Sequence, residues 1–194
     1  DARAAFLKLC HGKPLLPKFF TSRQQVEKIT GIYVPFWLYD CSADISGSYQ
    51  ATRVHTWSDR DYIYTKTDHY LLRRQARSAY SGIPMDGSSK MDDSFMESIE
   101  PYDYSQITDF DTAYLSGFLA DKYDVSSEEC AKRAEARAAS TTLGALQDTV
   151  VGYMTCVPVG DSVRVEHDAV RYALMPVWLL STRWKDKNFL FAMN

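Results

Sequence analysis

The chain has 194 residues, 45% of them hydrophobic and 24% charged, and carries a formal net charge of -3. That length fits one ordinary domain or two small ones with a real core, and the composition excludes disordered, collagen-like and disulfide-dense classes. No apolar run approaches the eighteen residues of a membrane span, and the 13 tyrosines lean toward β structure.

In chain order, residues 2–10 read as a short helix, stopped at Gly12 and followed by Pro14 and Pro17. This opening lacks the apolar core of a signal peptide, so a soluble segment is expected. Ser22 and Gln25 form a capping box for a second helix that ends at Gly31. The period then changes. Ile32 to Leu38 is apolar and aromatic, and Pro35 within it predicts an edge strand or a bulge. Tyr49–Trp57 and Tyr62–Leu72 alternate with period two about the turn residues Ser58–Asp61, which predicts a hairpin. Asp92–Ser98 and Thr112–Leu119 are candidates for short helices. The strongest helix starts at a Ser126/Glu129 capping box and runs through an alanine-rich stretch to about Gln147. Strands return at Val163–Val165 and Tyr172–Leu180, and a last hairpin turns on Lys185–Asn188 and ends at Phe191.

Two of these elements occur twice. Val34-Pro35-Phe36-Trp37-Leu38 matches Met175-Pro176-Val177-Trp178-Leu179. The stretch from Trp57 to Tyr64 matches Trp184 to Phe191, both reading Trp, any residue, Asp, basic, Asp or Asn, aromatic, aliphatic, aromatic. All four tryptophans fall at equivalent places in these elements. The expected fold is therefore a single α+β domain over 1–194. Its antiparallel sheet would come from two related β-hairpin units by internal duplication, at about 32–72 and 163–194, with an inserted acidic helical region at about 84–150.

Charge is unevenly spread. From Ser81 to Glu129 two basic residues face twelve acidic ones, a net of -10 that leaves +7 for the remainder. Between Ser48 and Tyr80 six basic residues stand against three acidic. Solvation, or an acidic segment docking beside a basic sheet, accounts for this before an anion-binding face is invoked.

Chemistry is harder to find. There is no dinucleotide or phosphate loop, no nucleophile elbow and no paired zinc-ligand helix motif. Cys10, Cys41, Cys130 and Cys156 are scattered and read as reduced core residues. His11, His55, His69 and His167 lack metal-ligand spacing, so no metal is expected. The loop Asp86-Gly87-Ser88-Ser89-Lys90-Met91-Asp92-Asp93 is suggestive. Asp86, Asp92 and Asp93 could hold a cation, or Gly87, Ser88, Ser89 and Lys90 an anion, though a loop with Asp92 as helix cap is the preferred reading. Alternation places Tyr49, Arg53, His55 and Trp57 on one face of the first hairpin strand, and Tyr62, Tyr64, Lys66 and Tyr70 on one face of the next. If the two faces coincide, rings interleave with cations, as stacking of single-stranded nucleic acid requires. Packing of the rings with snorkelling cations is the competing and favoured account.

The segments GIYVPFWLYD (31–40), PMDGSSKMDDSFMESIEPYDYSQ (84–106), AYLSGFLADKYDV (113–125) and YALMPVWLLSTRW (172–184) carry a resemblance. Over most of its length the chain resembles uncharacterised proteins of Gram-positive bacteria that bear a transcription-factor-type zinc ribbon ahead of such a domain. The resemblance implies ribbon cysteine pairs upstream, a Gly-x-Thr-Gly continuation after Asn194, and a membrane-anchoring tail in many members. None of these lies within this sequence, so no zinc ligand carries over. It further implies a cytoplasmic domain of a multi-part protein, tethered to a membrane, where it is, through parts outside this chain. The functional expectation is a non-catalytic binding or interaction module without a cofactor. Its partner would be a protein or another part of the parent chain. The alternatives are an enzyme with its site near the Asp86–Asp93 loop, and single-stranded nucleic-acid binding through the cationic-aromatic hairpin face. No membrane contact is expected from this segment.

Overall fold

The computed structural model describes residues 2–11, 13, 16–22, 29–185 and 187–194. Helix α1 spans Ala2–His11, with Lys8 and His11 in its last turn, where cations complement the helix dipole. The second helix expected after Ser22 falls on 23–28, outside the described residues. Strand β1 runs Thr30–Ser58 and β2 Ile63–Asp86. A short helix α2 covers Asp93–Glu97, two 3-10 turns cover Tyr104–Gln106 and Thr112–Leu115, and β3 is only Leu119–Ala120. Helix α3 spans Ser127–Asp148, β4 Thr155–Trp184 and β5 Lys187–Met193. Among the described residues these strands form one sheet in the order β2-β1-β4-β5, with β3 pairing beside β1.

This corrects the expected fold class. Half of the described residues are strand and 24% helix, so a large, mostly antiparallel sheet dominates in place of an α+β domain with an inserted helical region. The physical reason lies in small residues. Positions 39–48, which contain Asp, Ser and Gly, lie outside the strands expected from the sequence, yet Cys41, Ala43, Ile45 and Gly47 are buried while Ser42, Asp44 and Ser46 point the other way. Period two is present, carried by residues of low β propensity. The stretch around 84–126 has its own explanation. Asp92, Asp103 and Asp111 each accept a backbone N–H at the start of a turn, so part of its acidity caps very short helices. The helix expected at Thr112–Leu119 shrinks to one 3-10 turn followed by β3.

Two compact units make up the chain. The first comprises 1–37, 85–130 and 172–194. Its core joins Phe6 and Cys10 of α1 to Ile29 and Leu180, with Leu16, Trp178, Phe191 and Met193 packed around them. Phe191 meets Phe6 and Phe20 edge to face at 5.6 and 5.5 Å. Gly31 belongs to β1 and does not end a helix: a Cβ there would lie 2.4 Å from the Phe118 ring, which packs on Trp178. Pro35 sits in an inner strand, against the expectation of an edge. Its carbonyl still accepts a hydrogen bond there, from the N–H of Gly87 just after β2, at 2.8 Å.

The second unit comprises 38–84 and 131–171. Tyr39, Cys41, Ala43, Ile45, Tyr49 and Ala51 of β1 are buried, as are Ala134, Ala138, Thr142 and Leu146 of α3. The four-residue spacing of the latter is one helix face, and its small side chains let the helix lie close against a sheet. The Tyr80 hydroxyl meets Thr142 Oγ1 at 2.7 Å, and Arg137 donates to the Pro84 carbonyl, fixing α3 over β2.

Candidate functional site

The hairpin of β1 and β2 closes on Asp59. Its carboxylate accepts the backbone N–H of Asp61 and Tyr62 and the hydroxyl of Tyr64, and these bonds hold its pKa below the usual carboxylate range. This turn sets the register that brings the two predicted faces together. Trp57 stacks on Tyr64 with centroids 5.6 Å apart and rings 14° from parallel, and Tyr62 follows at 6.3 Å. Lys66 pairs with Asp68 at 2.9 Å, with His55 at 3.7 Å from the same carboxylate. Arg53 lies over the rings of Tyr70 and Tyr153, at 5.7 and 5.3 Å, and its Nε donates to the Gly152 carbonyl.

Tyr49 is the exception. It is buried, and burial pushes its hydroxyl pKa up. The remaining residues divide in two. The outer part presents rings to solvent: Trp57, Tyr62 and the neighbouring Ile63 are 52, 66 and 78% exposed. Nearer the body, the cations are engaged: Lys66 and His55 share Asp68, and Arg53 is held by rings and a carbonyl. The charge that an anionic ligand would use is thus partly neutralised in place.

The Asp86–Asp93 loop is a clasp. Ser88 Oγ and Lys90 Nζ donate to Asp121, at 2.7 and 2.5 Å, and Ser89 donates through N and Oγ to Asp124, both at 2.7 Å. The Asp121 carboxyl is lowered chiefly by its bond to Lys90, and Asp124 by its bonds to Ser89. Gly87 O accepts the N–H groups of Asp124 and Val125, and Asp92 caps α2. Asp86 is buried and Cys130 Sγ donates to its carbonyl. Lys90 and its serines are therefore satisfied by carboxylates of a later segment, which the sequence pattern of the loop alone does not disclose. Asp93 is exposed in the first turn of α2.

One constellation was not legible in the sequence. Cys41 Sγ lies 3.5 Å from His167 Nδ1, and His167 Nε2 lies 2.6 Å from Glu135 Oε1, a thiol-imidazole-carboxylate row assembled from β1, β4 and α3. A nucleophilic thiol needs access and a depressed pKa. Cys41 is fully buried, and burial, with Asp168, Glu135 and Asp40 nearby, pushes its thiol up. The row works as a hydrogen-bonded tie between helix and sheet. A shallow cavity of about 300 Å³ on Ser42, Asp44, Arg77 and Arg164 is likewise occupied by its own ion pairs, Arg77 with Asp44 and Arg164 with Glu166. The four cysteines are free. Among the described residues no cluster of three or more His, Cys, Asp or Glu is placed to hold a metal, and no helix is long and apolar enough to cross a membrane.

Comparison with known proteins gives one informative match. The chain is similar to an uncharacterised protein, YdjG, of Bacillus subtilis (strain 168), with 37% identity over 195 residues. The match takes in all of this chain and 57% of that protein, so the chain spans a little over half the length of its relative. No family model matches, and no solved structure matches.

Proposed function

We propose that the chain is a non-catalytic interaction module of a longer bacterial protein, binding a protein partner through the distal rings of the β1–β2 hairpin. The observation that carries this reading is the exposure of Trp57, Tyr62 and Ile63 together at a turn organised by Asp59. Large apolar and aromatic side chains held in solvent on a well-ordered turn match the aromatic anchors of protein interfaces. The thiol row and the Asp86–Asp93 clasp spend their polar groups on each other, which favours binding over turnover. Location of the parent protein at the cytoplasmic side, and a zinc ribbon ahead of this segment, belong to the same proposal. They rest on the sequence resemblance and on the relative's greater length.

The test is affinity capture with the full chain, comparing wild type with Trp57→Ala/Tyr62→Ala. Loss of the captured partner at unchanged melting temperature is the expected result, with about 2 kcal/mol or more of binding at stake for such anchors. Capture that survives the double substitution, or turnover abolished by altering one polar cluster, would overturn the reading. Single-stranded nucleic acid is a second reading, favoured by the stacked Trp57–Tyr64 platform. It requires salt-sensitive oligonucleotide binding that Arg53→Glu with Lys66→Glu abolishes.

A further inference from the structure

Two sheet edges in the second unit have no partner strand among the described residues. On one side the sheet ends at β2. On the other, β5 pairs with β4 only from Trp178 to Trp184, so β4 between Thr155 and Arg171 presents an outer edge that β5 does not reach. A row of unpaired N–H and C=O groups is a template for another strand. Past Pro158, residues 159–170 form the stretch considered as the open ladder. Apolar side chains line that stretch in the open: Val159, Val163 and Val170 are exposed. On β2, Leu71 is exposed beside its own edge.

Natural proteins guard such edges with charge. Here the guards have opposite sign. Residues 64–80 of β2 carry Lys66, Arg73, Arg74 and Arg77 against Asp68, a net of +3. Residues 159–170 of β4 carry Asp161, Glu166 and Asp168 against Arg164, a net of -2. Like edges therefore repel, and each edge complements the other.

We infer that a second copy of this chain docks edge to edge, the basic β2 edge of one molecule pairing with the acidic β4 edge of the next, so that the sheet continues across molecules. This contact is head to tail. It leaves one edge of each kind open at the ends and builds rings or filaments, not a closed two-fold dimer. The inference goes beyond the proposed function, since it uses the backbone edges of β2 and β4 and not the exposed side chains of Trp57 and Tyr62.

Analytical ultracentrifugation of the full chain at low ionic strength tests it. The weight-average mass should climb above the 22.1 kDa monomer with concentration and return toward it in high salt, where charge interactions are screened. Arg73→Glu/Arg77→Glu and Asp161→Lys/Asp168→Lys should each be monomeric alone. An equimolar mixture should associate again, because each variant then offers an edge complementary to the other's. That rescue separates broken pairing from broken folding. A wild-type mass fixed at 22.1 kDa, association of either variant alone, or a mixture that stays monomeric overturns the inference. Trp57→Ala/Tyr62→Ala should self-associate like wild type even where it loses its partner, which keeps this result distinct from the fate of the proposed function.

Discussion

Tyr102 packs its ring against Phe36, with centroids 5.4 Å apart, and carries a buried hydroxyl with no hydrogen-bond partner in the structure. Burial pushes the pKa of that hydroxyl up, and Glu100 nearby adds to the effect. A buried donor without an acceptor costs about 1–3 kcal/mol, whereas the ring earns its place by packing. Tyr102→Phe should accordingly stabilise the fold, raising the melting temperature by about 2–4 °C per kcal/mol for a chain of this size. A melting temperature that drops on this substitution would show that the hydroxyl holds a partner in solution. At the same scale, Cys41 illustrates how environment overrides residue type. A thiol beside an imidazole, itself bonded to a carboxylate, has the connectivity of a nucleophile, yet complete burial makes it a structural hydrogen bond.

Among the elements, α3 is the one whose boundaries follow most directly from residue chemistry. Ser126 and Glu129 exchange bonds as a capping box: Glu129 N–H donates to Ser126 Oγ at 3.3 Å, and Ser126 N–H donates to Glu129 Oε2 at 2.8 Å. Ser126→Ala should cost about 1 kcal/mol. Ala138→Leu, on the buried stripe, should cost about 1–3 kcal/mol by overpacking. Chemical denaturation measures both, and a smaller penalty for Ala138→Leu than for the cap would mean that α3 lies less closely on its sheet than described. Legibility followed the same logic across the molecule. The Ser126/Glu129 capping box, the Ser58–Asp61 turn residues and the alternation of Tyr49–Trp57 are local signals, and they located the start of α3 and the first hairpin. The length of the strands was hidden because Cys41, Ala43, Gly47 and the outward Ser and Asp residues carry their period with weak strand formers. The clasp of Lys90 with Asp121 and the Cys41–His167–Glu135 row depend on contacts over 31 to 126 residues of separation, which no window along the chain can see. Of the hairpin residues singled out from the sequence, Trp57 and Tyr62 lie in the open and Tyr49 in the interior.

For the whole molecule, pH dependence follows from the carboxylates. Asp59, Asp92, Asp103, Asp121 and Asp124 all have folded pKa values lowered, mainly by hydrogen bonds to serines, lysine and backbone N–H groups. As pH falls below the ordinary carboxylate range near 4, the unfolded chain takes up protons before the folded one does. Their stabilisation is therefore complete at neutral pH and is lost as pH drops through the lowered folded values. The denaturation midpoint should fall with acidification below about pH 5, and less steeply in Asp121→Asn. A midpoint that rises on acidification would contradict this assignment. The two compact units also have an uncommon relation to the covalent chain. Their boundaries at 37/38, 84/85, 130/131 and 171/172 fall inside β1, β2, α3 and β4 respectively, and none falls in a loop. Proteases cut exposed loop tips. No single cleavage there can release either unit whole, and no continuous stretch of the gene encodes one alone.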